Sequence, residues 1–192
     1  MLNDLSSPAR LAATRRSGKP RDMAAPGPDR EQLGRILTAG MRVPDHGKLA
    51  PWRFVVIGPE RRDAFAALLM RAYLTEKPDA GRLEREAVEQ FARQAPTLVV
   101  VFSTPRADSH IPLWEQQLSS GAACMAMLYA AHAEGFVAGW LTGWAAYSPM
   151  VAEGLGHPEG RIAGFLFIGS PGKPPEERPR PAPEAIISYW KD

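Results

Sequence analysis

The chain has 192 residues, 45% of them apolar, which suits one domain with a buried core. Its single cysteine, Cys124, excludes an intrachain disulfide, and its four histidines share no spacing typical of a zinc site. Residues 1–62 carry 12 basic and 6 acidic side chains and the remainder carries 11 and 15, but no nucleic-acid-binding module is recognisable. No apolar run approaches the roughly 20 residues of a membrane span and no secretory signal is evident. We therefore expect a cytoplasmic protein with neither a membrane nor a nucleic-acid partner.

The predicted elements begin with a helix after Asp29, where Gln32 completes a capping box, and this helix ends at Pro44. A buried strand follows at 54–57, then helices at 61–73 and 82–93 and a second strand at 97–102. The longest helix runs from 112 to 134 and is closed by Gly135. A short helix opens at Ser148, and a third strand spans 161–168. This mixed order predicts an α+β fold in which helices wrap a central, mostly antiparallel sheet.

The C-terminal end is the unusual part of the predicted single domain, which spans 1–192. Six prolines lie between Pro171 and Pro183, so we expect residues 171–192 to form a stiff, extended arm. The apolar run 186–190 near its end has the pattern of a strand. The sequence alone slightly favours packing of this strand on its own domain, and the alternative is pairing with the sheet of another subunit.

Three segments carry residues suited to ligand binding. Arg15, Arg16, Ser17 and Lys19 place three cations and a hydroxyl within five residues. This set suits a phosphate, although a solvated helix end is the commoner explanation for such a cluster alone. The second segment, 42–52, is a loop before a predicted strand, and such loops often line sites. The third, 139–144, is predicted as a glycine-bracketed loop whose two tryptophans either flank a flat aromatic ligand or belong to the core.

No catalytic motif accompanies these segments. The dinucleotide fingerprint, the P-loop and the nucleophile elbow are all missing from the sequence. Any chemistry is therefore expected from a bound cofactor.

The order of these segments resembles the nitroreductase family, in particular its short members. The similarity runs from Leu11 to the C-terminus. It comprises Arg-Arg-Ser, a Pro-Asp-His…Pro-Trp loop, a small-residue helix leading to Gly-Trp-Leu-Thr, and a late Phe-Ile-Gly-Ser-Pro followed by Arg-Pro-Arg-Pro. The resemblance implies a homodimer with two FMN sites at the interface and a C-terminal strand exchanged between subunits. It also implies ping-pong hydride transfer from NAD(P)H through FMN to a nitroaromatic or quinone, with no catalytic side chain and no metal.

The same resemblance implies roles for individual residues. Residues that would bind FMN from one subunit are Arg15, Arg16, Ser17, Lys19, Trp140, Leu141, Thr142, Arg178 and Arg180, the last two at the phosphate. Residues that would reach the flavin of the partner subunit are Arg42 and His46. The segment that would receive the nicotinamide consists of Ala130, Ala131, His132, Ala133, Glu134 and Gly135.

One loop departs from the family pattern. Where many members have Ser, Asn and Gln before Pro-Trp, this chain has Asp45, Lys48 and Ala50. Specific hydrogen bonds to the flavin are therefore not assigned there. Two alternatives stay open, namely other flavin chemistry on the same fold (flavin-consuming or dehydrogenating) and a non-enzymatic FMN-binding protein.

Overall fold

The computed structural model describes residues 1–190 and contains a four-stranded sheet with helices on both faces. The helices are α1 (Pro8–Thr14), α2 (Arg30–Gly40), α3 (Arg62–Glu76), α4 (Arg82–Arg93), α5 (Leu113–Ala133), α6 (Trp144–Tyr147) and α7 (Pro149–Gly154). The strands are β1 (Trp52–Ile57), β2 (Thr97–Ser103), β3 (Val137–Leu141) and β4 (Arg161–Gly169). Short 3₁₀ turns occupy Pro20–Asp22, His46–Lys48, Pro59–Arg61 and Pro183–Ala185.

The strands lie in the order β1-β2-β4-β3, and every neighbouring pair is antiparallel. β2 lies between β1 and β4 and is buried along its whole length, as its β-branched and apolar composition predicts. Within the sheet β3 pairs only with β4, so its other edge faces the segment that follows α1. This architecture confirms the predicted α+β fold class with an antiparallel central sheet.

Two apolar layers hold the helices on the sheet. Leu98, Val100 and Phe102 of β2 belong to the core beneath α3 and α4, whereas Val99 and Val101 belong to the core beneath α2 and α5. This alternation is the period of two that a strand imposes on its side chains. Each buried side chain of this size contributes about 1.5–3 kcal/mol to stability. Together they fix the position of the helices that surround the candidate site.

The long helix α5 confirms the prediction for 112–134. Cys124, Met127, Leu128 and Ala131 pack in the core beneath it. Gly135 follows with φ of 87°, and its N–H closes the helix by donating to a carbonyl in the last turn at 2.9 Å. With 21 residues α5 is about 30 Å long at 1.5 Å per residue. Residues packed against its two ends therefore lie far apart.

The structure corrects the sequence prediction in several places. The helix after Asp29 ends at Gly40 rather than at Pro44, and Trp144 begins α6 rather than lying in a loop. Helix α1 was not predicted, because Leu11 is its one buried residue and no apolar stripe marks it. Trp140 and Leu141 lie in β3 rather than in a loop, since Gly139 hides the apolar strand pattern. The run 186–190 is exposed and pairs with no strand of the described residues. Exchange of this run between subunits stays a prediction.

The arm over residues 171–190 is mostly exposed and is extended apart from the 3₁₀ turn at Pro183–Ala185, and positions 191 and 192 lie outside the described residues. In the described part of the chain, no helix combines the length and the hydropathy needed to cross a bilayer. The same residues contain no group of three or more His, Cys, Asp or Glu side chains placed to bind a metal ion.

Candidate functional site

The segment after α1 runs along the free edge of β3. The N–H of Gly18 donates to the carbonyl of Ala138 at 3.2 Å. A Cβ at Gly18 would lie 2.3 Å from a methyl group of Val137, and a Cβ at Gly139 would lie 2.7 Å from the carbonyl oxygen of Gly18. The two glycines permit this close approach, since any side chain would separate the segment from the strand. This contact holds the basic residues of the segment 15–19 beside β3.

Four cations from two ends of the chain gather there, and we call Arg15, Arg16, Lys19 and Arg180 the cationic cluster. Arg15 is half-buried and donates to the hydroxyl of Ser17 at 3.1 Å. Burial lowers the pKa of Arg15, and the nearby positive charges of Arg180 and Arg16 lower it further. Among residues 1–190, Arg15 has no carboxylate partner within ion-pair distance. A bound anion would relieve this crowding of positive charge.

The first part of the arm covers the cluster. Arg16 Nε donates to the carbonyl of Glu176 at 2.8 Å, and the Lys173 N–H donates to the carbonyl of Asp22 at 3.2 Å. A cavity of about 290 Å³ lies between the arm and the segment after α1. Its lining includes Arg16, Ser17, Lys19, Arg21, Val137 and Lys173. Arg178, also predicted at the phosphate, is exposed and has no ion pair within the described residues.

Trp140, Leu141 and Thr142 lie at the end of β3. The indole Nε1 of Trp140 donates to the carbonyl of Ala163 at 3.0 Å, and its ring covers Gly164 so closely that a Cβ there would lie 2.0 Å from Nε1. The ring therefore lies over β4 on the α5 side of the sheet. Leu141 packs against the opposite core, and Thr142 is exposed.

A second cavity, which the sequence did not predict, begins at Thr142. It measures about 270 Å³, and we call it the aromatic cavity. Its lining includes Leu69, Tyr73, Val88, Phe91, Gly143 and Trp144. The rings of Tyr73 and Trp144 meet edge to face with centroids 4.7 Å apart. Glu76 fixes Trp144 by accepting from its Nε1 at 2.6 Å. An apolar cavity with aromatic walls suits a flat ring.

The loop 42–52 packs against the other end of α5. His46 Nδ1 lies 2.7 Å from a carboxylate oxygen of Glu115, and the hydroxyl of Ser119 donates to the Pro44 carbonyl at 2.7 Å. The cationic cluster instead lies towards Tyr129, because Arg15 is close enough to that side chain for its charge to raise the pKa of Arg15. From Glu115 to Tyr129 the helix rises by about 20 Å. A single chain therefore does not bring His46 together with the cationic cluster. Arg42 is exposed two residues after the end of α2.

The segment predicted for the nicotinamide offers little accessible surface. Ala131 and His132 are buried, and Glu134 forms a bidentate ion pair with Arg35 at 2.7 and 2.8 Å. Ala130 and Ala133 line a shallow apolar crevice of about 500 Å³ against α1. Contact with a dinucleotide is thus limited to the surface of Ala130, Ala133, Glu134 and Gly135. The assignment of the whole segment stays a prediction.

Comparison with known proteins identifies the family. The model of the nitroreductase family matches residues 12–170. The chain belongs to the nitroreductase family. It is 36% identical over 170 residues to a protein of Escherichia coli (strain K12) that is named "Putative NAD(P)H nitroreductase YdjA". The match covers 88% of this chain and 92% of that protein. The resemblance predicted from the ordered motifs is confirmed.

Solved structures agree with this family membership. A nitroreductase-like family protein from Bacillus cereus superimposes with a TM-score of 0.84 and 21% identity, over 97% of this chain and 97% of that one. A nitroreductase with bound FMN from Bacteroides fragilis has a TM-score of 0.70 and 20% identity, over 94% of this chain and 96% of that one. At these identities the comparison shows a shared fold.

Proposed function

We propose that this nitroreductase-family chain is an FMN-dependent NAD(P)H oxidoreductase that reduces nitroaromatic or quinone acceptors. The observation that carries the proposal is the cationic cluster, in which Arg16 and Lys19 contact Glu176 and Arg180 contacts the adjacent Glu177, although these cations come from opposite ends of the sequence. Clustered guanidinium groups without a carboxylate on Arg15 suit a phosphate dianion. The name of YdjA and the FMN bound by the nitroreductase of B. fragilis support the same activity.

The cationic cluster suits the phosphate of FMN, and the aromatic cavity suits its ring. Arg15, Ser17 and Arg180 would hold the phosphate, and the aromatic cavity beside Thr142 would accept a flat ring. FMN, when bound, supplies a ring that accepts hydride and donates it to a second substrate. Arg16 and Lys19 belong to the same cluster and would add to the positive charge around the phosphate, because a fixed cation acts most strongly where water is partly excluded. No protein nucleophile or general base is needed.

A homodimer is part of the proposal. His46 lies too far from the cationic cluster of its own chain, so a contact of His46 with FMN requires a second copy. Arg42 is proposed to reach the same partner site. The half of α5 that carries this loop also exposes Trp114 and Leu118, which are 66% and 53% exposed, and Tyr147 of α6 is 80% exposed. Clustered exposed apolar residues of this size are typical of interaction surfaces. A cytoplasmic location is also proposed, since the single cysteine needs no oxidising compartment.

Steady-state kinetics test the activity. FMN-loaded protein is expected to oxidise NADPH or NADH only when a quinone or nitroaromatic is present, with the parallel double-reciprocal lines of a ping-pong mechanism. Loaded protein that oxidises neither coenzyme would contradict the oxidoreductase proposal and favour a non-enzymatic FMN-binding protein. Turnover that depends on neither acceptor would favour other flavin chemistry.

The mass in solution tests the dimer. Light scattering is expected to give twice the chain mass of 21.0 kDa. Replacing Trp114 and Leu118 by Glu should yield monomers with weakened FMN binding, whereas a charge placed on the far side, Leu83→Glu at an exposed residue of α4, should leave the dimer intact. A monomeric wild-type protein that binds FMN would contradict the two-subunit site.

A further inference from the structure

The arm places two carboxylates of its own in the cationic cluster. The Glu176 carboxylate lies 4.0 Å from Lys19 Nζ, and the Glu177 carboxylate lies 3.5 Å from a guanidinium nitrogen of Arg180. The backbone of Glu176 is also fixed, because its carbonyl accepts from Arg16 Nε at 2.8 Å. Three of the four cations of the cluster are therefore engaged by two successive residues of the arm.

The Glu177 carboxylate is held as an anion, and both carboxylates are only weakly bound. The pKa of Glu177 is lowered by a hydrogen bond from the Arg178 N–H and by the positive charges of Arg180 and Arg16. The side chains of Glu176 and Glu177 are 87% and 60% exposed, and the distances of their ion pairs are long. Exposed ion pairs of this kind contribute little to stability. A phosphate, which carries nearly two charges and three acceptor oxygens, would attract the same cations more strongly.

We propose that Glu176 and Glu177 compete with the phosphate of FMN for the cationic cluster and thereby set the affinity for the phosphorylated flavin. This inference rests on the proposed function, since it takes FMN as the ligand. Binding of the phosphate exchanges the two carboxylates for a stronger anion and moves them away from the cations. Riboflavin has the same ring but no phosphate, so its binding does not require this exchange.

The competition predicts opposite behaviour for two ligands in one variant. In Glu176→Gln/Glu177→Gln the cations lose their internal partners, while the shape of the arm and the carbonyl that binds Arg16 are retained. FMN is expected to bind three- to tenfold more tightly than to the wild type, and the affinity for riboflavin should stay within twofold. The control is Glu184→Gln, which removes a charge from the same arm at an exposed residue that has no ion pair within the described chain. It should change neither affinity by more than twofold.

Titration of flavin fluorescence with apoprotein measures all of these dissociation constants, and thermal unfolding of each variant verifies its fold. An unchanged or weaker FMN affinity in the double variant would overturn the competition, as would an equal gain for FMN and riboflavin. These results would leave the proposed function intact, because the wild type would still bind FMN. A wild-type protein that does not bind FMN would instead overturn both proposals.

Salt provides a second readout. In the double variant no carboxylate of the arm neutralises these cations, so charge attraction makes a larger part of the binding of FMN. The FMN affinity of the double variant is therefore expected to fall more steeply with ionic strength than that of the wild type. Equal salt dependence in the two proteins would contradict the competition.

Discussion

Substitution of Arg15 by Met removes the half-buried guanidinium of the cationic cluster and keeps an apolar side chain of similar reach. Arg15 donates to Ser17 and lies near Arg180, so its charge is part of the proposed phosphate site. A hydrogen bond to a charged group contributes about 1.5–3 kcal/mol. Since each 1.4 kcal/mol is tenfold in affinity, FMN is expected to bind about 10- to 150-fold more weakly to Arg15→Met.

The stability of the protein without FMN should respond differently. The substitution removes a cation that burial and two neighbouring cations disfavour, as the lowered pKa of Arg15 indicates. The loss of the bond to Ser17 acts in the opposite direction. We therefore expect the free energy of unfolding of flavin-free Arg15→Met to stay within about 1 kcal/mol of the wild type. Weak FMN binding with a nearly unchanged fold separates a ligand-binding role from a structural one.

The assay is a fluorescence titration of FMN and riboflavin, combined with urea unfolding of the apoprotein. Arg30→Met is the matched control, because Arg30 is exposed at the start of α2 and has no ion pair in the described chain. Its FMN affinity should stay within twofold of the wild type. An FMN affinity of Arg15→Met within twofold of the wild type would refute the assignment, and so would an equal loss for riboflavin.

Three further predictions concern the fold around the site. Arg62 is buried and donates to three carbonyls at the end of α4, so Arg62→Met should lower the free energy of unfolding by about 2–3 kcal/mol in urea titrations, and a loss below 0.5 kcal/mol would contradict this role. Burial lowers the pKa of His132 to about 4, below the value of about 6.5 in the unfolded chain. As the pH falls, the unfolded chain therefore takes up a proton before the folded protein does. The stability that neutral His132 contributes is complete above about pH 6.5 and is lost as the pH falls toward 4. In His132→Leu this loss should be smaller by up to about 3 kcal/mol, and identical pH profiles would be inconsistent with a buried neutral histidine. Gly164→Ala should displace the indole of Trp140 and cost about 1–3 kcal/mol, whereas Gly34→Ala, where a Cβ meets nothing within 4 Å, should be neutral or stabilising; equal effects would argue against the close packing.

The sequence predicted the elements whose patterns are local and long. Helix α5 was found because its apolar and small residues continue for six turns and Gly135 closes it. β2 and β4 were found because fully buried strands are continuous apolar runs. β3 was missed for a local reason, since Gly139 interrupts it where the backbone of Gly18 approaches. The alternation on which strand prediction depends is lost at such a contact.

The candidate site was predictable in composition but not in arrangement. The basic residues at 15–19 were recognised from their spacing, and the family resemblance added Arg180. The contact of Arg16 with a carbonyl of the arm had no sequence signal, because it joins residues 160 positions apart. The aromatic cavity was missed because Tyr73, Phe91 and Trp144 lie on three helices, and each alone has the pattern of a core residue.

The central claim is that this chain binds FMN and passes hydride from a nicotinamide through it. The most direct measurement is the absorbance spectrum of FMN-loaded protein during anaerobic addition of NADPH and, separately, NADH. The flavin bands are expected to bleach within seconds with at least one coenzyme and to return when a quinone or nitroaromatic is added. A protein that stays colourless after incubation with FMN, or whose flavin bands persist with both coenzymes, would contradict the claim.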